Sequence, residues 1–114
     1  MPNIPENWDD LMNRSPSQAQ RHAVRRSLIR RARMVQQDGW DLYRCVWSPG
    51  DVAATAYLLG DETVLRDTGH DSDEEFLRYY ACKLFGINSR HDDADHGLRQ
   101  TRKWFLAART HLIS

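Results

Sequence analysis

Residues 15–39, SPSQAQRHAVRRSLIRRARMVQQDG, carry the pattern from which the fold is read. Ser15-Pro16 offers a cap followed by proline at the first helical position, and Gly39 offers a stop, so one long helix is predicted from Ser15 to Gln37. Val24, Leu28, Ala32 and Val35 recur at helical spacing and form a packing stripe. Arg26, Arg30 and Arg33 fall on roughly the opposite side. One face should pack while the other is cationic.

Outward from this helix the charge reverses. Between Leu11 and Gln37 there are seven arginines (Arg14, Arg21, Arg25, Arg26, Arg30, Arg31, Arg33) and no acid. Residues 38–81 hold ten Asp/Glu against Arg44, Arg66 and Arg78, and residues 82–114 turn mildly basic again. A formal net charge of zero over 114 residues therefore conceals a dipolar chain. Like charges one helical turn apart cost about 0.2–0.5 kcal/mol per pair. An anionic neighbour is expected in the working state, supplied by a partner or by the chain's own acidic middle at Asp61–Glu62 and Asp71–Glu75.

The remaining segments read mostly as helix. Trp40 to Trp47 suits either a strand or two helical turns. Ser48-Pro49-Gly50-Asp51 then makes a helix start, and Val52 to Leu59, closed by Gly60, makes a short helix with Val52, Ala56 and Leu59 inward. The alternative is a small hairpin over 40–59. Thr63–Arg66 offers a further turn. Ser72 caps a helix with Asp73, Glu74 and Glu75 in its first turn, Phe76, Tyr80 and Leu84 along its packing stripe and Gly86 at its end. Asp92–Asp95 is expected to begin the last helix, in which Leu98, Phe105, Ala108 and Leu112 share a face. The expected fold is mostly α: an irregular arm over 1–14, with Trp8 and Leu11 docking on the body, and a single compact bundle of four or five helices over 15–114.

Composition bounds the class. Forty per cent hydrophobic and 28 per cent charged residues suit a globular domain, and four tryptophans supply large buried areas. Cys45 and Cys82 share no metal or redox spacing, and both are expected as buried, reduced thiols. Met1 to Trp8 has no signal-like pattern and no segment approaches a membrane span, so a cytoplasmic protein is expected.

Motifs for chemistry are sparse. No serine sits in a nucleophile elbow, no glycine-rich loop cradles phosphates, and no cofactor is implied. His91-Asp92-Asp93-Ala94-Asp95-His96 is the single local cluster that invites a metal. His91, Asp95 and His96 are its candidate ligands, and a metal-dependent hydrolase would follow from them. Acids capping a helix explain the same residues. Ala56 and Gly60 have the spacing of a helix-turn-helix, but Arg66 and Gly69 occupy positions that should be apolar.

The leading expectation is thus a non-enzymatic binding protein or regulator. Arg21, Arg25, Arg26, Arg30 and Arg33, joined by Arg99, Arg102 and Lys103 of the last helix, would engage nucleic acid. His22, Gln18 and Arg109 would add contacts. The alternative is an inhibitor or adaptor that binds a protein with an acidic or nucleic-acid-binding surface, of the anti-CRISPR-like kind that mobile elements use against a host nuclease complex. There Asp71, Asp73, Glu74 and Glu75 would mimic nucleic acid.

Overall fold

A computed structural model describes residues 16–113, with the side chains of 87–92 excepted. The expected arm over 1–14, including Trp8, Leu11 and Arg14, lies outside the described residues. Among the described residues five helices follow in order: α1 (Gln18–Asp38), α2 (Pro49–Leu59), α3 (Glu62–Asp67), α4 (Asp73–Asp95) and α5 (Arg99–Ile113). No strand occurs among the described residues. The mostly α, compact arrangement is as the sequence predicts, and the hairpin over 40–59 is not formed.

α1 starts later than its first serine suggests. Ser17 is the cap: its hydroxyl accepts from Gln20 N at 3.1 Å, and Gln20 Oε1 accepts from Ser17 N at 2.6 Å. Two of the donors at this end of the helix are thereby satisfied. Pro16 lies before the cap, and its carbonyl accepts from Arg21 Nη1 at 2.6 Å. Gly39 ends the helix, its N–H donating to Val35 O. Leu28, Ala32 and Val35 are buried and Val24 packs beside them, as the stripe requires.

Trp40 to Trp47 is neither a strand nor a full helix. The Trp40 carbonyl accepts from Tyr43 N and Arg44 N, and the Tyr43 carbonyl accepts from Val46 N and Trp47 N. Tyr43 stacks on Trp47 with centroids 4.7 Å apart. The Trp40 indole donates to Asp61 Oδ2 at 3.0 Å, and Arg44 pairs with Asp67, so these turns are tied to α3. Cys45 is exposed on them, contrary to the expected burial, and Cys82 is half-buried; both are free thiols.

α2 begins as read, with Ser48 Oγ accepting from Asp51 N at 3.2 Å and Pro49 in the first turn. The expected inward set was too narrow. Val52, Ala53, Ala54, Thr55, Ala56 and Leu58 are all buried, because α1, α3, α4 and α5 each pack against this helix. Leu59, expected inward, is only partly buried against the core. α3 buries Val64 and Leu65, which anchor it in the bundle.

α4 carries the predicted Ser72 cap, whose hydroxyl accepts from Glu75 N. Phe76, Leu77, Tyr80, Ala81 and Leu84 form its buried side. Burial pushes the Tyr80 phenol well above its usual range. Phe105 of α5 joins the two halves of the core, with its ring 4.8 Å from Tyr57, 5.1 Å from Tyr80 and 5.0 Å from Trp104. Gly86 breaks α4 with φ 87° and ψ 172°, a region open to glycine alone. Helix nevertheless resumes beyond it and runs to Asp95.

The last helix therefore starts at Arg99, not at Asp92–Asp95. Those acids close α4 instead. Asp93, 3 % exposed, reaches across the turn 96–98 and accepts from Gln100 N at 2.8 Å, Thr101 N at 3.2 Å and Thr101 Oγ1 at 2.6 Å. It caps α5 from seven residues upstream. Leu98, between them, takes φ 59° and is fully buried. The strain of that conformation, about 1–2 kcal/mol, is offset by burying a leucine, about 1.5–3 kcal/mol. Replacing Asp93 with Ala leaves three donors without their acceptor, so the variant should unfold at lower urea concentration with a loss of about 2–3 kcal/mol. An unchanged midpoint would mean that the cap is dispensable.

Candidate nucleic-acid interface

The described arginines of α1 divide by what each touches. Arg21 donates to the Pro16 carbonyl and lies 5.5 Å from the Phe85 ring centroid. Arg31 pairs with Asp51 at 3.5 Å and sits 5.8 Å from the Trp47 ring centroid, joining α1 to α2. Arg25 is half-buried with its guanidinium 5.6 Å from the centroid of the Trp104 ring. Its Nε and Trp104 Nε1 are buried and, among the described residues, have no hydrogen-bond partner. Arg33 is exposed and donates to the His111 carbonyl at 3.2 Å. Arg26 and Arg30 are exposed and, among the described residues, have no ion-pair, hydrogen-bond or ring partner.

These last residues border a groove of about 600 Å³. It runs along α1 past His22, Arg25, Arg26, Ile29, Arg30, Arg33, Met34 and Gln37, and His111 of α5 closes one end. Ile29 and Met34, both half-buried, are its apolar lining residues and flank Arg30 and Arg33 on opposite sides of the helix. No acidic residue lines it among the described residues. Guanidinium groups held this way offer paired N–H donors to phosphate or carboxylate oxygens.

The acidic middle is occupied elsewhere. Glu74 pairs with Arg78 at 2.9 Å, Glu62 with Arg66 at 3.7 Å, and Glu75 accepts from Asp71 N while lying 4.0 Å from His70 Nδ1. Asp71, Asp73 and Glu74 border a second cleft of about 390 Å³ together with Glu62, Arg66, His70 and Arg102. Asp51 is the one acid of this stretch within ion-pair reach of an α1 arginine among the described residues.

The predicted extension of the patch onto the last helix is only partly assembled. Arg102 faces the acidic cleft and donates to the Gly97 carbonyl at 3.1 Å, so it does not line the arginine groove. Arg99 and Lys103 are exposed on α5 but are not among the groove's lining residues. Arg109 donates to the carbonyls of Leu58 and Tyr57, both at 3.1 Å, closing the C-terminal end of α2. The contribution of α5 is His111, which sequence reasoning missed together with Ile29 and Met34. Their signal was available: both apolar residues lie off the Val24–Leu28–Val35 stripe, among the arginines. Trp104 is buried in the α1–α5 seam, beside Arg25.

The metal candidates do not come together. The His91 side chain lies outside those described, Asp95 and His96 are exposed around the end of α4, and the carboxylate of Asp93 is committed to capping α5. Among the described residues no three His, Cys, Asp or Glu side chains are grouped to hold a metal ion. No helix among the described residues is long and apolar enough to cross a membrane. No family model, curated protein or solved structure matches the chain.

The two kinds of arginine should separate in stability measurements. Arg109→Ala removes two hydrogen bonds to helix-terminal carbonyls and a ring contact with Tyr57, and should cost about 1–2 kcal/mol in a urea titration. Arg26→Ala and Arg30→Ala should each change stability by no more than about 0.5 kcal/mol. A large loss at Arg26 or Arg30 would show that they too support the fold.

Proposed function

We propose that this chain is a small, non-enzymatic binding protein that engages the phosphate backbone of nucleic acid through α1. The observation that carries the reading is the state of Arg26 and Arg30: both are exposed on an acid-free face with no partner among the described residues. Burying or pairing them within the fold would have relieved the like-charge repulsion along α1. Arg31 shows the contrasting solution, with Asp51 beside it.

Phosphate suits the arrangement for two reasons. Guanidinium forks bind its oxygens in pairs, and each contact releases condensed counterions, which supplies affinity without reading sequence. Arg26 and Arg30 are about 6 Å apart along the helix axis and Arg33 lies about 4.5 Å further on. This staggered row follows the direction in which a strand would run. A local cationic row is sufficient, because at physiological salt charges more than about 8 Å away are largely screened.

Binding of fluorescent oligonucleotides, followed by anisotropy, tests this. Affinity should fall roughly 20- to 40-fold between about 50 and about 200 mM salt, as expected for some three phosphate contacts. Arg26→Glu combined with Arg30→Glu should abolish it. Absence of binding at the lower salt, with the protein folded, would overturn the proposal and point instead to an acidic protein surface as the partner.

A further inference from the structure

We propose that the cleft where α1, α2 and α4 meet is a binding site for a small phosphate-bearing molecule, held by Arg31, Lys83, Ser27 and Tyr80. The site is separate from the row of Arg26, Arg30 and Arg33 and does not rest on the nucleic-acid reading. The cleft has a volume of about 360 Å³. Its lining includes Ser27 and Arg31 from α1, Asp51 and Ala54 from α2, and Tyr80 and Lys83 from α4.

The charges in it do not balance. Asp51 is shared between two cations, with one carboxylate oxygen 3.5 Å from Arg31 Nη2 and the other 4.0 Å from Lys83 Nζ. Lys83 has no other acid within ion-pair reach among the described residues. One carboxylate offsets one of the two cations, so a surplus positive charge remains. Arg31 and Asp51 are half-buried, and salt screens such groups less than it screens exposed ones.

Tyr80 supplies an independent observation. The residue is 3 % exposed, yet its hydroxyl makes no hydrogen bond among the described residues. Nor is the oxygen sealed from solvent: the sealed polar atoms without a partner are Arg25 Nε, His70 Nδ1 and Trp104 Nε1. The phenol oxygen therefore opens onto the cleft that its side chain lines, where, besides burial, the charges of Asp51 and Arg31 act on it. Lys83 Nζ lies 5.5 Å from the centroid of the same ring. Buried polar groups are ordinarily satisfied, so a hydroxyl left open at a charged cleft points to a ligand atom.

Ser27 adds a second hydroxyl with no hydrogen bond among the described residues. The cleft thus offers two cations and two hydroxyls as donors, against the single anionic acceptor Asp51. That ratio selects the ligand. A phosphate group presents several oxygens to charged and hydroxyl donors. In its singly charged form it also keeps a P–OH, which donates to Asp51. Sulfate and acetate bring no such proton and would meet Asp51 with like charge.

An NMR titration of the full chain with inorganic phosphate, in slightly acid buffer where the ion is mostly singly charged, tests the site. Saturable shifts should appear at Ser27, Arg31, Asp51 and Lys83, with a Kd of about 1 mM or below, and sulfate and acetate should bind about tenfold more weakly. Lys83→Gln should weaken phosphate binding about tenfold, and Tyr80→Phe about three- to fivefold. Without phosphate, Tyr80→Phe should melt at the temperature of the parent, because its hydroxyl bonds to nothing in the fold. Arg26→Ala combined with Arg30→Ala should leave phosphate affinity unchanged. A nucleoside monophosphate run alongside separates the sources: tighter binding assigns the site to a phosphate ester, equal or weaker binding to the free ion.

No saturable shifts in the cleft, or shifts centred on Arg26 and Arg30 that the paired alanine variant removes, would overturn the proposal. Sulfate or acetate binding as tightly as phosphate would overturn the choice of ligand. A Tyr80→Phe variant that melts early without phosphate would assign the hydroxyl to the fold and contradict the site.

Discussion

Burial of α2 on nearly every side is the constraint on which the rest of the molecule depends. A helix of eleven residues can lie at the centre of so small a bundle only if its side chains are small. Ala53, Ala54 and Ala56 let four other helices approach its axis, while Val52 and Leu58 fill the remaining space. Its end groups are satisfied by side chains, Ser48 Oγ at the exposed start and Arg109, from the last helix, at the part-buried finish.

The orientation of α1 follows from this centre. Leu28, Ala32 and Val35 turn toward the bundle, and the Arg31–Asp51 ion pair ties the helix to the first turn of α2. With that side committed, helical geometry leaves Arg26, Arg30 and Arg33 facing outward. The cationic row is thus a consequence of how the core is packed. Ile29 and Met34 lie on the two flanks of that row, half-buried beside it.

Much of this was legible in the order of residues. The serine caps at 48 and 72, the glycine stops at 39 and 60, and the apolar stripes of α1 and α4 are local signals, and they were read where they occur. What was missed depends on contacts distant in sequence. Asp93 looks like the start of a helix by composition, yet it caps the next helix from across a turn that forces Leu98 into an unusual conformation. The turns of 40–47 are held by Asp61 and Asp67, some twenty residues away, and no local pattern announces them. The candidate site divides in the same way. Arg26, Arg30 and Arg33 could be chosen from periodicity alone. Arg102 and Arg109 could not be assigned, because their roles depend on which side of α5 meets the acidic cleft and which meets α2.

The charge separation that first marks the chain is preserved in three dimensions as two clefts, one lined by α1 arginines and one by the acids around the start of α4. The most direct test of the account is an NMR titration of the isotopically labelled protein with a short single strand at low salt, following backbone amides and arginine Nε–Hε groups. The account predicts shifts along 22–37, largest at Arg26, Arg30 and Arg33, with the acidic cleft silent. Shifts confined to Asp71–Glu75 and Arg102, or no saturable shifts at all, would contradict it.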